Sequence, residues 1–132
     1  DVPPGTGDVQ LTVAQKTKVT GAINISTHQD IALLDARKAL NMFAKTKTPI
    51  LGMVENMSTY ICPACGNEAD LFGSDGVKKE AAKQNLPFLG QIPLDLNIRL
   101  SSDNGEPLAL SDSSAASAYM ALAEKLILGN MA

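Results

Sequence analysis

The sequence predicts an α/β fold, a parallel three-stranded sheet with flanking helices, and three observations carry that prediction. Apolar residues recur at helical spacing in some segments and alternate over short runs in others. The two kinds of segment follow one another in turn, the order of a parallel sheet with crossover helices. Finally, 132 residues suit one domain, and 45% hydrophobic content is enough for a buried core.

Each element has its own local reason. The opening Asp1-Val2-Pro3-Pro4-Gly5-Thr6-Gly7-Asp8 is rigid at its prolines and permissive at its glycines. That composition suits a loop whose N–H groups approach an anion. Asp8 caps a short helix from Val9 to about Lys16. Ala22 to Thr27 reads as a strand, with Ile23 and Ile25 alternating with small polar residues. Asp30 caps a helix from Ile31 to about Lys45, in which Leu33, Ala36, Leu40 and Phe43 share helical spacing. Asp35 and Lys38 belong to its solvated face. Pro49 opens a second strand, Ile50 to Val54, and completes a right-handed βαβ unit. Glu55-Asn56-Met57-Ser58 leaves that strand end and enters a cysteine-bearing loop with no regular period. Ser74 or Asp75 starts a helix through Lys83, and Pro87 to Ile92 makes the third strand. Asp95 to Leu100 reads as a short helical turn and Ser101 to Asp112 as a polar loop. The last helix runs from about Ser114 to Leu128, with Gly129 as its stop. His28 reads as a surface turn residue, and Met53 and Met57 as packing.

Composition removes several functional classes. Eleven basic against fourteen acidic residues give a net charge of −3, and no basic stretch is longer than Lys78-Lys79. A nucleic-acid surface is not expected. There is no apolar run of the ~18 residues that span a membrane, and the opening residues carry no signal-peptide pattern. The two cysteines both fall in Cys62-Pro63-Ala64-Cys65-Gly66. They lie too close together for a useful structural staple, so a reduced, cytoplasmic pair with a chemical role is the expectation. Such a turn aims two sulfurs at one point, where it holds zinc or a cluster, or forms a redox disulfide. Two thiolates are half of a four-ligand site, and the lone His28 lies too far back along the chain to be a third ligand.

Three motifs in order carry a resemblance: Asp1 to Asp8, then Gln29-Asp30-Ile31-Ala32-Leu33-Leu34-Asp35-Ala36-Arg37-Lys38, then Val54-Glu55-Asn56-Met57-Ser58 leading to the Cys62–Cys65 turn. Phe72-Gly73, Leu89-Gly90-Gln91-Ile92-Pro93-Leu94 and Ile98-Arg99 add to it. Together they resemble the C-terminal half of the Mrp/ApbC iron–sulfur carrier ATPases, relatives of MinD-type deviant P-loop proteins of the SIMIBI class. The resemblance implies that residues 1–132 are the C-terminal portion of one doubly wound P-loop NTPase domain, with 58–73 an inserted CxxC loop. It implies an ATPase in the full-length protein that carries a [4Fe–4S] cluster at a homodimer interface and delivers it to apo-proteins, with cluster-assembly factors as further partners. Cys62 and Cys65 would hold the cluster with their copies in a second subunit, since a cluster commonly takes four cysteines. Asp1 would help hold Mg²⁺ through water, Gly5 would sense the γ-phosphate of ATP, and Asn56 would contact adenine. The chain starts inside a Gly/Pro-rich motif and contains no Gly-Lys dipeptide, so the phosphate-cradling loop is expected upstream and this piece alone should not hydrolyse ATP. Without the P-loop strand beside it, the strand at Ala22 to Thr27 should be an unpaired apolar edge. His28 stands where the family often has proline. A zinc-stapled α/β protein-interaction module without ATPase activity is the alternative reading.

Overall fold

The structure, a computed structural model, describes Val2 and residues 7–129. Helix α1 (Asp8–Lys16) leads to strand β1 (Ala22–Ser26), helix α2 (Asp30–Lys45) and strand β2 (Ile50–Glu55). A small hairpin, β3 (Tyr60–Ile61) and β4 (Glu68–Ala69), precedes helix α3 (Gly76–Lys83) and strand β5 (Phe88–Gln91). Helix α4 (Leu96–Asn104), a 3₁₀ turn (Leu108–Leu110) and helix α5 (Ser114–Leu128) complete the order.

The main sheet runs β1-β2-β5, and both pairings are parallel. The alternation of side chains along β2 decides how the layers form. Met53 points into a core made by Leu33, Ala36 and Leu40 of α2 with Val77 and Ala81 of α3. Its neighbour Val54 points the other way, to Leu89 and Ile92 backed by Ile98 of α4 and Tyr119, Leu122 and Leu126 of α5. Helices therefore cover both faces, as expected for an α/β succession. Met53 and Val77 are wholly buried, and each contributes roughly 1.5–3 kcal/mol of hydrophobic stabilisation.

Strand β1 ends the sheet, as the sequence predicts. Ile25 is 58% exposed and Ile23 39%, because α5 packs over β5 and leaves this edge bare. Local details depart from expectation in several places. Asp8 and Asp30 are the first residues of α1 and α2 rather than their caps, the cap positions being Gly7 and Gln29. The 95–100 turn is a nine-residue helix that consumes the first part of the expected loop, and Gly105 stops it in the left-handed conformation (φ 71°). Asp95 caps it, its side chain accepting the Asn97 N–H at 2.7 Å. The cysteine loop contains the β3–β4 pair, too short to leave a periodic signature. Asp75 precedes α3 with φ 59° and makes no side-chain cap. Two side chains from distant strand ends take the N–H groups of that helix instead.

Candidate functional site

The cysteine turn is a knuckle carried on a hairpin. Tyr60 pairs with Ala69 and Ile61 with Glu68, so the two legs run antiparallel. Beyond them the Cys62 N–H donates to the Asn67 carbonyl at 2.9 Å, and the Gly66 N–H returns to the Cys62 carbonyl at 2.8 Å. Gly66 closes this turn at φ 70°, a conformation that costs glycine little. Both cysteines are free, Cys62 half-buried and Cys65 exposed. The backbone N–H of Ala64, then that of Cys65, hydrogen-bonds the Cys62 sulfur, and the Cys65 thiol adds a third bond. These donors favour the thiolate and lower the Cys62 pKa below its ordinary value, against a smaller opposing effect of burial. The thiolate is the metal-binding form.

The hairpin is rooted on the third strand. Ser58 donates to the Ile92 carbonyl through both its N–H and its hydroxyl, each at 3.1 Å. The Leu94 N–H donates to the Thr59 carbonyl at 3.1 Å, and Tyr60 bridges Leu94. Across the base, the Thr59 hydroxyl donates to Asp70 Oδ1 at 2.9 Å and ties the outgoing leg to the returning one. Around the knuckle lie exposed apolar side chains: Met57, Ile61, Leu71 and Phe72. Met57 is therefore not the packing residue the sequence suggests. No third His, Cys, Asp or Glu joins a metal-binding group here among the described residues.

Asn56 lies elsewhere, at the carboxyl end of β2. Its N–H donates to the Ser26 carbonyl at 2.8 Å, and its Oδ1 accepts the Met57 N–H at 3.0 Å. It lines a cavity of about 840 Å³ along the open edge of β1, together with Gln10, Asn24, Ser26, Thr27 and Asp35. Strand ends of this kind are where open α/β sheets bind ligands. Cys62 and Cys65 do not line it. Asp1 and Gly5 lie outside the described residues.

Two residues at strand ends carry more of the architecture than their sequence context indicates. Glu55 is completely buried, its carboxylate accepting the Val77 N–H at 2.9 Å and Gln91 Nε2 at 3.2 Å. His28 is half-buried rather than a free surface turn, and its Nδ1 accepts the Gly76 N–H at 2.7 Å. A charged residue at the end of an apolar run hints at the first; nothing local reveals the second.

Comparison with known proteins places this scaffold. A family model described as ParA, NUBPL iron-transfer P-loop NTPase, matches residues 1–127. The chain belongs to this P-loop NTPase family. The chain is 52% identical over 128 residues to an iron-sulfur cluster carrier protein of Pyrococcus horikoshii, covering 96% of itself and 43% of the relative. It is 45% identical over 131 residues to an Arabidopsis thaliana mitochondrial iron-sulfur protein required for NADH dehydrogenase, covering 98% of itself and 42% of the relative. The Escherichia coli iron-sulfur cluster carrier protein is 47% identical over 128 residues, with 35% of its length covered. The chain thus spans less than half the length of these relatives. Among solved structures, a nucleotide-binding protein of Archaeoglobus fulgidus in complex with ADP matches at TM-score 0.68 and 42% identity, over 79% of this chain and 43% of that one. The cell-division ATPase MinD of Pyrococcus furiosus shares the fold at TM-score 0.61 and 23% identity, over 83% of this chain and 43% of that one.

Proposed function

We propose that the Cys62–Cys65 knuckle holds an iron–sulfur cluster as cargo, a [4Fe–4S] cluster shared between two copies of the chain, for delivery to apo-proteins. The observation that carries the reading is the knuckle itself. It presents two free thiols on an accessible hairpin, with N–H groups aimed at the Cys62 sulfur. One chain supplies two thiolates, and a two-fold axis through the turn supplies the four that such a cluster commonly takes. The exposed Met57, Ile61, Leu71 and Phe72 surround the turn with apolar surface suited to a second copy. The names of the carrier relatives support cluster transfer as the task. A reducing compartment such as the cytoplasm keeps both thiols available. No described helix is long and apolar enough to cross a membrane.

In the longer protein, ATP binding and hydrolysis would drive or gate delivery. Asn56 is the adenine contact on this reading, since its side-chain amide offers both a donor and an acceptor to a base edge. Asp1 would hold Mg²⁺ through water and Gly5 would face the γ-phosphate. The Archaeoglobus ADP complex supports a nucleotide for this scaffold. The 132 residues contain no Gly-Lys dipeptide, so this chain alone is expected to be inactive towards ATP.

Anaerobic reconstitution with iron and sulfide tests the cargo assignment. The expected product is a brown dimer with a broad band near roughly 400 nm, from thiolate-bound iron. Cys62→Ser should lose the band while retaining the far-UV spectrum of the folded chain. A colourless dimer with about one zinc ion would instead establish the zinc-stapled module.

A further inference from the structure

His28 stands between the two regions that the proposed function must connect. It lies two residues beyond Ser26, whose carbonyl takes the Asn56 N–H, and next to Thr27, which lines the strand-end cavity. Its imidazole projects away from that cavity onto the segment by which the cysteine hairpin returns to α3. Nδ1 accepts the Gly76 N–H at 2.7 Å, which assigns the ring proton to Nε2. The ring fills the space above two glycines. A Cβ on Gly76 would strike Nδ1 and sit 2.9 Å from Cγ and 3.0 Å from Cε1. A Cβ on Gly73 would strike Cδ2 and lie within 2.5 Å of Nε2. Gly73 also has φ 93°, a conformation other residues rarely adopt.

From Gly73 the connection continues to the cysteines through hydrogen bonds. The Gly73 N–H donates to the Asp70 carbonyl at 3.1 Å, and the Asp70 carboxylate takes the Thr59 hydroxyl at 2.9 Å. Thr59 and Asp70 are the two roots of the hairpin that carries Cys62 and Cys65. We propose that His28 is a positioning residue: it seats the return leg of the cysteine hairpin against the β1–α2 loop, so that movement of that loop moves the cysteine turn. The functional consequence rests on the cargo reading of Cys62 and Cys65, whereas the seating itself does not.

The metal-free 132-residue chain tests this by peptide-resolved hydrogen exchange and by the rate at which the thiols react with Ellman's reagent. His28→Ala should raise exchange over residues 68–77 by about tenfold while leaving residues 50–56 unchanged, since a local opening becomes easier without loss of the core. It should also change the thiol reaction rate several-fold, roughly in step with the exchange. His28→Asn places an amide oxygen near the Nδ1 position and should restore protection, whereas His28→Gln, whose oxygen reaches the Nε2 position, should not. Gly76→Ala should reproduce the loosening on its own, yet add nothing in the His28→Ala background, where the colliding ring is gone. Unchanged exchange in His28→Ala, an equal rise over residues 50–56, or a Gly76→Ala effect that persists without the imidazole would overturn the seating. Unchanged thiol rates would overturn its reach to the cysteines. Because no iron is involved, these results stand apart from success or failure of cluster reconstitution.

Discussion

Replacing Glu80 by Gln isolates the one ion pair that clamps α3 to α2. Arg37 donates through Nε to Oε1 at 2.8 Å and through Nη2 to Oε2 at 2.7 Å, a two-pronged contact, and Gln84 Nε2 adds a bond to Oε1 at 3.0 Å. The carboxylate side chain is 2% exposed, whereas Arg37 is 39% exposed. The Arg37 hydrogen bond, outweighing the cost of burial, brings the Glu80 pKa from 4.5 down to about 2. Taken at face value that difference is worth about 3 kcal/mol at neutral pH. Solvent reaches the guanidinium and screens part of the attraction, so we expect Glu80→Gln to lose about 1–2 kcal/mol. The sign of the pH dependence follows from a depressed carboxylate pKa. The stabilisation is complete above the unfolded value of 4.5 and is lost as pH falls towards about 2. Urea unfolding of both proteins between neutral and acid pH measures the difference. It should be level above about pH 5 and shrink below it. A gap that stays constant down to pH 3 would refute the assignment, because the wild-type carboxylate would then not be the group giving up its charge. Arg37→Met should cost more than Glu80→Gln, since it leaves the buried carboxylate with Gln84 as its remaining donor, while the double replacement by apolar residues should recover most of that loss.

Other expectations concern separate parts of the molecule. Asp95→Ala removes the cap of α4 and should destabilise the chain by about 1 kcal/mol in thermal unfolding, with no change in cluster loading. Ile25→Lys puts a charge on the bare edge of the sheet and should lower the concentration-dependent self-association of the chain in analytical ultracentrifugation. Equal association of both proteins would show that the β1 edge is not the contact. Incubation of reconstituted protein with a strong iron chelator should bleach the visible band and separate the dimer into monomers if the cluster joins the two copies. A dimer that survives bleaching would mean that protein contacts hold it.

The alternation of strand and helix was legible in the residues, because hydrophobic periodicity is a local property, whereas the exposed β1 edge followed from the family resemblance. Leu33, Ala36 and Leu40 mark one face of α2 in sequence and pack on Met53 in space. The cysteine turn was equally legible, since its ligand spacing and its Pro and Gly lie within five consecutive positions. Membership in the P-loop NTPase family also followed from ordered motifs, and the family match over residues 1–127 bears it out. The hairpin under the cysteines was missed because two-residue strands are held by their partners rather than by propensity. Arg37–Glu80 and His28–Gly76 join residues 43 and 48 positions apart. No window on the sequence contains both members of either pair. What the sequence by itself determined was the three strands of the main sheet, most of the helices around them and the local chemistry of the Cys62–Cys65 turn. Only the tertiary structure decided how that turn is held, because parallel strands bring their distant carboxyl ends together, and there Glu55 and His28 supply the acceptors that the start of α3 lacks.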